Sequence, residues 1–265
     1  MPAPDSHLLL WILGFTLVGA FLSMAAGGAY LLMPSHWREK TVAHLISLAT
    51  GTLLAVAFMD LLPEALEHAG DAEGHEIFTI VLAGILVFFV LEKTLIWRHA
   101  HQVDSHGHAH HHHHHSLRNA GALVMVGDTF HNFLDGVLLT ATFVADPALG
   151  VVTGMAIIAH EIPQEVGDFA IMLESGYTRW QTFGLNAVSS LAMVGGALLA
   201  WWQLPLLTDH LGYVLAFTAA SFIYIAIADL IPSLHQGVTP RETFAQIFWM
   251  ATGVLFVMAV HHFEG

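Results

Sequence analysis

The sequence contains no cysteine. That excludes a disulfide framework, thiolate chemistry and any cysteine-based zinc site. Basic charge is nearly as scarce. Seven Lys and Arg stand against 21 Asp and Glu, a formal charge of −14 with histidine neutral. So few cations cannot assemble the basic patch that nucleic acid requires, so nucleic acid is excluded as a partner and cations are the natural ligands of such a surface. Charge of either sign makes up only 11% of the 265 residues, whereas 55% are hydrophobic. This balance predicts a polytopic membrane protein with the lipid bilayer as its surroundings, not a soluble domain. The first apolar run has no Lys or Arg before it and does not resemble a cleaved signal peptide.

A bilayer is crossed by about 20 apolar residues in helical form. Such runs fall at roughly 8–33, 41–62, 77–97, 119–145, 148–173, 180–202, 210–232 and 243–262. The expectation is an all-α polytopic membrane protein with eight transmembrane helices and a single transporter domain over 1–265. Barrel strands would alternate polar and apolar residues, and these runs do not. Arg38, Lys40, Lys93, Arg98, Arg118, Arg179 and Arg241 all fall in the odd-numbered connections of this scheme. By the positive-inside rule that side is cytoplasmic, which puts both termini outside.

Two connections are unusual. Residues 63–76 hold Glu64, Glu67, His68, Asp71, Glu73, His75 and Glu76, which read either as ordinary solvated loop polarity or as a cation-attracting vestibule. Residues 98–118, RHAHQVDSHGHAHHHHHHSLR, hold ten histidines. A cytoplasmic tract this rich in imidazole is expected to be disordered and to bind metals weakly at many sites, as a buffer or sensor. A short echo links Asp60-Leu-Leu-Pro63 to Asp229-Leu-Ile-Pro232. It suggests an inverted repeat of three spans, a central pair and three spans, although the motif could also simply end two helices at an interface.

The central pair carries the chemistry. In GDTFHNFLDG (127–136), Asp128, His131, Asn132 and Asp135 share one helical face. In HEIPQEVGD (160–168), His160 and Gln164 are one turn apart, as are Glu161 and Glu165, and Asp168 continues the stripe. Each mid-membrane carboxylate costs about 2.5–3.5 kcal/mol on insertion scales. No Lys or Arg lies between Arg118 and Arg179 to offset this. Protons, water or a bound cation must do so, and imidazole with carboxylate suits zinc, iron and similar ions better than calcium or magnesium. Interhelical hydrogen bonding or a proton relay would use some of the same groups. Pro163 is expected to break a helix bond at the Ala159 carbonyl and bend the span.

With HNFLDG at 131–136, HEIPQEVGDFAIML at 160–173 and AFMDLLPEA at 57–65, the chain resembles the ZIP family (Zrt- and Irt-like proteins) of divalent-metal transporters. The resemblance covers the whole chain and is nearest the branch with an HExPHE-type fifth span. It implies a metal centre of His131, Asn132 and Asp135 with His160, Glu161 and Gln164, a homodimer, and a transport bundle moving against a scaffold. It also implies metal flow into the cytoplasm across a plasma membrane, the bacterial inner membrane in particular. Gln164 stands where that branch has its second histidine, which bears on the preference for zinc over iron or manganese. Residues 180–202 contain no Asp, Glu or His, so Glu165 is the candidate to stand in for a carboxylate there. Asp128 and Asp168 complete the candidate metal set.

The leading expectation is therefore a secondary carrier, not an enzyme. It has no catalytic cofactor, and its substrate is a divalent metal ion. No P-loop is present to couple it to ATP. An efflux carrier is the alternative, since His-x-x-x-Asp pairs and His-rich loops occur there too. An intramembrane zinc protease would need HExxH, and Gln164 replaces its second ligand.

Overall fold

In a bilayer every backbone N–H must find its partner inside the segment, so long apolar runs become helices. The computed structural model describes residues 6–32, 34–69, 74–104, 113–235 and 239–264, and among these it contains helices and no strand. In chain order they are α1 (Ser6–Leu32), α2 (Ser35–Ala55), α3 (Leu62–Ala69), α4 (Gly74–Asp104), α5 (His113–Ala145) and α6 (Pro147–Glu174). Then follow α7 (Arg179–Trp202), α8 (Leu204–Asp209), α9 (Leu211–Tyr224), α10 (Ile231–Leu234) and α11 (Pro240–Glu264).

Among the described residues, six stretches are long and apolar enough to cross a membrane: His7–Tyr30, Thr41–His68, Gly74–Leu91, Arg179–Trp202, Leu211–Ala228 and Pro240–Val260. The chain is an integral membrane protein. The other two of the eight expected spans are α5 and α6, of 33 and 28 residues. They are long enough, but they carry the acids, amides and histidines of the two central motifs, which lowers their hydropathy.

Two expectations for the connections change. Residues 98–118, expected as a loop, are entered by helix from both sides, to Asp104 and from His113. Neither flank holds the Gly or Pro that would stop a helix. The centre of the histidine tract, 105–112, lies outside the described residues. Residues 204–209, expected as connection, form the short helix α8, with Pro205 in its first turn, where a missing N–H costs nothing.

The two echoing segments share a backbone feature. A π-helical turn covers Val56–Leu61 and another covers Ile225–Leu230. In each, the residue before proline donates to a carbonyl five residues back, Leu62 to Ala57 and Ile231 to Ala226. Proline has no N–H to continue the regular ladder, and a one-residue bulge is a way to re-pair the backbone ahead of it. Asp60 and Asp229 lie within these turns. Pro163 does something else: α6 runs through it as helix.

The helices pack in two groups. One joins α5 to α6 and α7, with α1 laid across α6 and α7; the other joins α2 to α11 and α9 to α3 and α4. Small residues set both tightest seams. A Cβ on Gly136 would run into the Met193 carbonyl, and one on Gly196 into the Phe133 carbonyl, so α5 and α7 touch backbone to backbone. Gly51 meets Met250 and Gly253 meets Leu48 in the same reciprocal way between α2 and α11. Hydroxyls in the helices return to their own backbone, as Ser47 does to the Ala43 carbonyl at 2.7 Å and Thr218 to that of Val214 at 2.8 Å.

The turn joining α5 to α6 is fixed by Asp146. Its carboxylate caps α6 by accepting from the backbone N–H of Ala148 (2.8 Å) and Leu149 (3.0 Å), and Pro147 opens the helix. Asp146→Ala is expected to cost about 1 kcal/mol, read as a lower melting temperature in thermal unfolding of the purified chain. An unchanged midpoint would show that the cap does not hold the turn.

Candidate metal centre

α5 and α6 are antiparallel neighbours joined by a one-residue connection, so their polar faces meet at mid-helix. Four of the nine candidates converge there. The ligand atoms of His131, Asp135, His160 and Glu161 all lie within 4.8 Å of one another. His160 Nε2 is 3.1 Å from His131 Nε2, 3.2 Å from Asp135 Oδ2 and 3.7 Å from Glu161 Oε1. His131 Nε2 is 3.6 Å from Asp135 Oδ2 and 3.6 Å from Glu161 Oε1. A tetrahedral ion with bonds near 2.05 Å has its donors about 3.3 Å apart. Five of the six edges of this group are within about 0.4 Å of that value.

The surroundings favour a cation. Asp135, His160 and Glu161 are at most 1% exposed. Both carboxylate oxygens of Asp135 and of Glu161 lack a hydrogen-bond donor in suitable geometry. Buried anionic oxygens left in that condition are costly. A divalent ion shared among two imidazoles and two carboxylates would satisfy all of them, and the donor set fits zinc and its neighbours.

One imidazole is already oriented for the task. His160 Nδ1 is 3.1 Å from the Ala156 carbonyl. A carbonyl only accepts, so Nδ1 carries the hydrogen and Nε2 presents its lone pair to the centre. The edge of the ring packs on Phe222 of α9, at a centroid distance of 5.9 Å. This places the group where the two helix groups meet.

The remaining candidates form a second layer, towards the start of α5 and the end of α6. Asn132 donates its amide to the Asp128 carbonyl (3.2 Å) and to Asp128 Oδ1 (3.1 Å), and Gln164 Nε2 donates to the same oxygen at 3.2 Å. Asn132 and Gln164, which the family resemblance puts in the metal centre, thus direct their amide nitrogens to Asp128. Asp128 is a buried carboxylate and accepts the N–H groups that reach it. Asn132 Oδ1 and Asp128 Oδ2 are buried without a hydrogen-bond partner. Glu165, fully buried, accepts from Ser190 Oγ at 3.0 Å, and its Oε2 is left without a donor. Asp168 is buried further along α6, at 8% exposure.

Ser190 belongs to α7, which contains no Asp, Glu or His. That helix also buries Thr182, Asn186 and Ser189. Sequence reasoning passed over this face because small neutral side chains hardly disturb an apolar run. Their spacing of three and four was the available signal.

A family profile described as ZIP Zinc transporter matches residues 8–261. Zinc transporter ZIP13 of Pongo abelii is 32% identical over 234 residues, covering 84% of this chain and 66% of that protein. The chain therefore spans about two thirds of that relative's length. Zinc transporter ZIP13 of Mus musculus is 30% identical over 259 residues, covering 86% and 71%. Zinc transporter SLC39A7 of Mus musculus is 29% identical over 351 aligned positions, covering 99% and 73%. A profile match over nearly the whole chain, with relatives 30–32% identical over most of it, means that this chain belongs to the ZIP zinc transporter family.

Proposed function

We propose that the chain is a carrier that brings divalent transition-metal ions, zinc first, into the cytoplasm through the group formed by His131, Asp135, His160 and Glu161. The observation that carries this reading is a buried four-ligand cluster on two paired helices that contain no Lys or Arg between Arg118 and Arg179. Asp128, Asn132, Gln164, Glu165 and Asp168 then line the continuation of the path towards the cytoplasm. The proposal includes the eight-span topology, with α5 and α6 completing it, and a single transporter domain over 1–265. It places both termini outside a plasma membrane, the bacterial inner membrane in particular. The seven basic residues in the odd connections support that orientation. The paired π-helical turns at Asp60 and Asp229 support an inverted repeat around the central pair. The homodimer and the metal-buffering role of the histidine tract come from the same reading.

Direction is tested in cells. Cells expressing the chain should accumulate zinc above controls when zinc is added outside, with iron and manganese as weaker competitors. A fall in cellular zinc on expression would assign export instead. The second layer is tested separately. Glu165→Ala is expected to slow zinc uptake by about tenfold, the lower end of what an outer-shell partner contributes. Uptake and metal stoichiometry equal to the parent would remove Glu165 from the path.

A further inference from the structure

Thr153, Ala156, His160, Gln164, Gly167 and Ile171 are spaced three and four apart and share one face of α6. Along that face exposure rises in one direction only. Thr153, Ala156 and His160 are 0% exposed, Gln164 and Gly167 are half-buried, and Ile171 is 41% exposed. The facing helix α5 shows the same asymmetry about His131. Leu138 and Asp135 are at most 2% exposed, the His131 side chain is 15% exposed, and Gly127 is half-buried. The central group is therefore closed towards the α5–α6 turn at Asp146 and open towards the start of α5 and the end of α6. His131 and Gln164 are polar, and polar side chains left accessible at membrane depth line water, not lipid.

Gly167 has no packing reason to be glycine. Glycines 51, 136, 196 and 253 stand where helices touch backbone to backbone. No atom lies within 4 Å of a Cβ built on Gly167, and α6 runs through it as helix. A side chain would fit there, and alanine would hold the helix better than glycine does. The adjacent Val166, Asp168 and Phe169 are at most 8% exposed, so the free space lies on the Gly167 face alone. That face is the one His160 occupies, about 10.5 Å further back along the helix.

We propose that Gly167 sets the width of a water-filled passage from the central group to the end of α6, its bare backbone forming one wall. Use of this passage as the exit for the released ion rests on the import reading above. The passage itself does not.

The chain has no cysteine, so Gly167→Cys introduces its sole thiol. The full-length variant in lipid nanodiscs is treated with a trimethylammonium methanethiosulfonate, which labels thiols that meet water. Two variants serve as comparison: Thr153→Cys, seven residues to the closed side of His160, and Gly195→Cys, on the exposed face of α7. Gly167→Cys should react at least about tenfold faster than either, because thiol reactivity follows ionisation and access. A rate no faster than that of Gly195→Cys would mean that Gly167 faces lipid, and would overturn the passage. For the width, completing this reaction on the folded Gly167→Cys should lower kcat for zinc uptake at least about tenfold without raising KM, because release and not loading is obstructed. Gly167→Ala, with one methyl group in the same space, should keep kcat within about twofold of the parent. An unchanged kcat after complete reaction of Gly167→Cys would overturn the role in width. If the parent carries no zinc inward, the import reading fails while the labelling still decides the passage.

Discussion

His160→Ala is expected to lower zinc uptake by at least about 100-fold, because loss of even an outer-shell partner costs about 10–100-fold and His160 would be a direct ligand. Its Nε2 sits 3.1–3.7 Å from each of the other three candidate ligand atoms, and unlike the partly exposed His131 it is fully buried. Removing it leaves Asp135 and Glu161 buried with one imidazole instead of two, and buried carboxylates in a membrane are costly unless paired. The substitution also frees the Ala156 carbonyl, so a folding control is needed. Size-exclusion behaviour and melting temperature close to the parent would establish that the variant is folded. Uptake within about twofold of the parent by that folded variant would remove His160 from the transport path.

The second large effect is structural. Gly136→Ala adds a single methyl group, yet its Cβ would collide with the Met193 carbonyl and come close to the Ala197 N–H across the α5–α7 seam. Backbone cannot rotate away as a side chain can, so α5 must shift. The expected cost is at least about 2–3 kcal/mol, the upper range for overpacking. Gly136 follows Asp135 directly, so the same shift should displace a ligand and depress uptake. Gly195→Ala is the control: nothing lies within 4 Å of its Cβ, and alanine is better than glycine in a helix by about 0.5–1 kcal/mol. Expression and melting should separate the two variants sharply. Equal stability of the two would mean that the seam is looser than the packing indicates.

The sequence made the helices legible because hydropathy reads membrane helices directly, and seven cations were enough to orient them on paper. It also made the ligand types legible. Carboxylates and histidines at helical spacing in an apolar run, with no basic residue nearby, have few chemical uses. What the pattern could not do was sort nine candidates into layers. His131, Asp135, His160 and Glu161 converge, whereas Asn132 and Gln164 turn to Asp128. Helical spacing gives the face but not the rotamer, and amides go where a carboxylate accepts them. The contribution of α7 was invisible for a related reason, since Ser190 reads as tolerated polarity until a buried Glu165 is found against it.

The backbone details were less accessible still. Asp-Leu-x-Pro appears twice in the sequence, but the π-helical turn that accompanies it depends on how the backbone re-pairs ahead of a missing N–H. That choice is made by packing around the segment and is not encoded in hydropathy. Extension of α4 and α5 into the histidine tract shows the converse. A composition that promises disorder still propagates helix when no glycine or proline stops it.

The central claim is that the carried metal is held by α5 and α6 together. Anomalous diffraction at the zinc edge from crystals grown with zinc tests it most directly. An anomalous peak is expected about 2.0–2.2 Å from His131 Nε2, His160 Nε2, Asp135 Oδ2 and a Glu161 oxygen. Well-ordered crystals with zinc bound elsewhere and no anomalous density among those four side chains would contradict it.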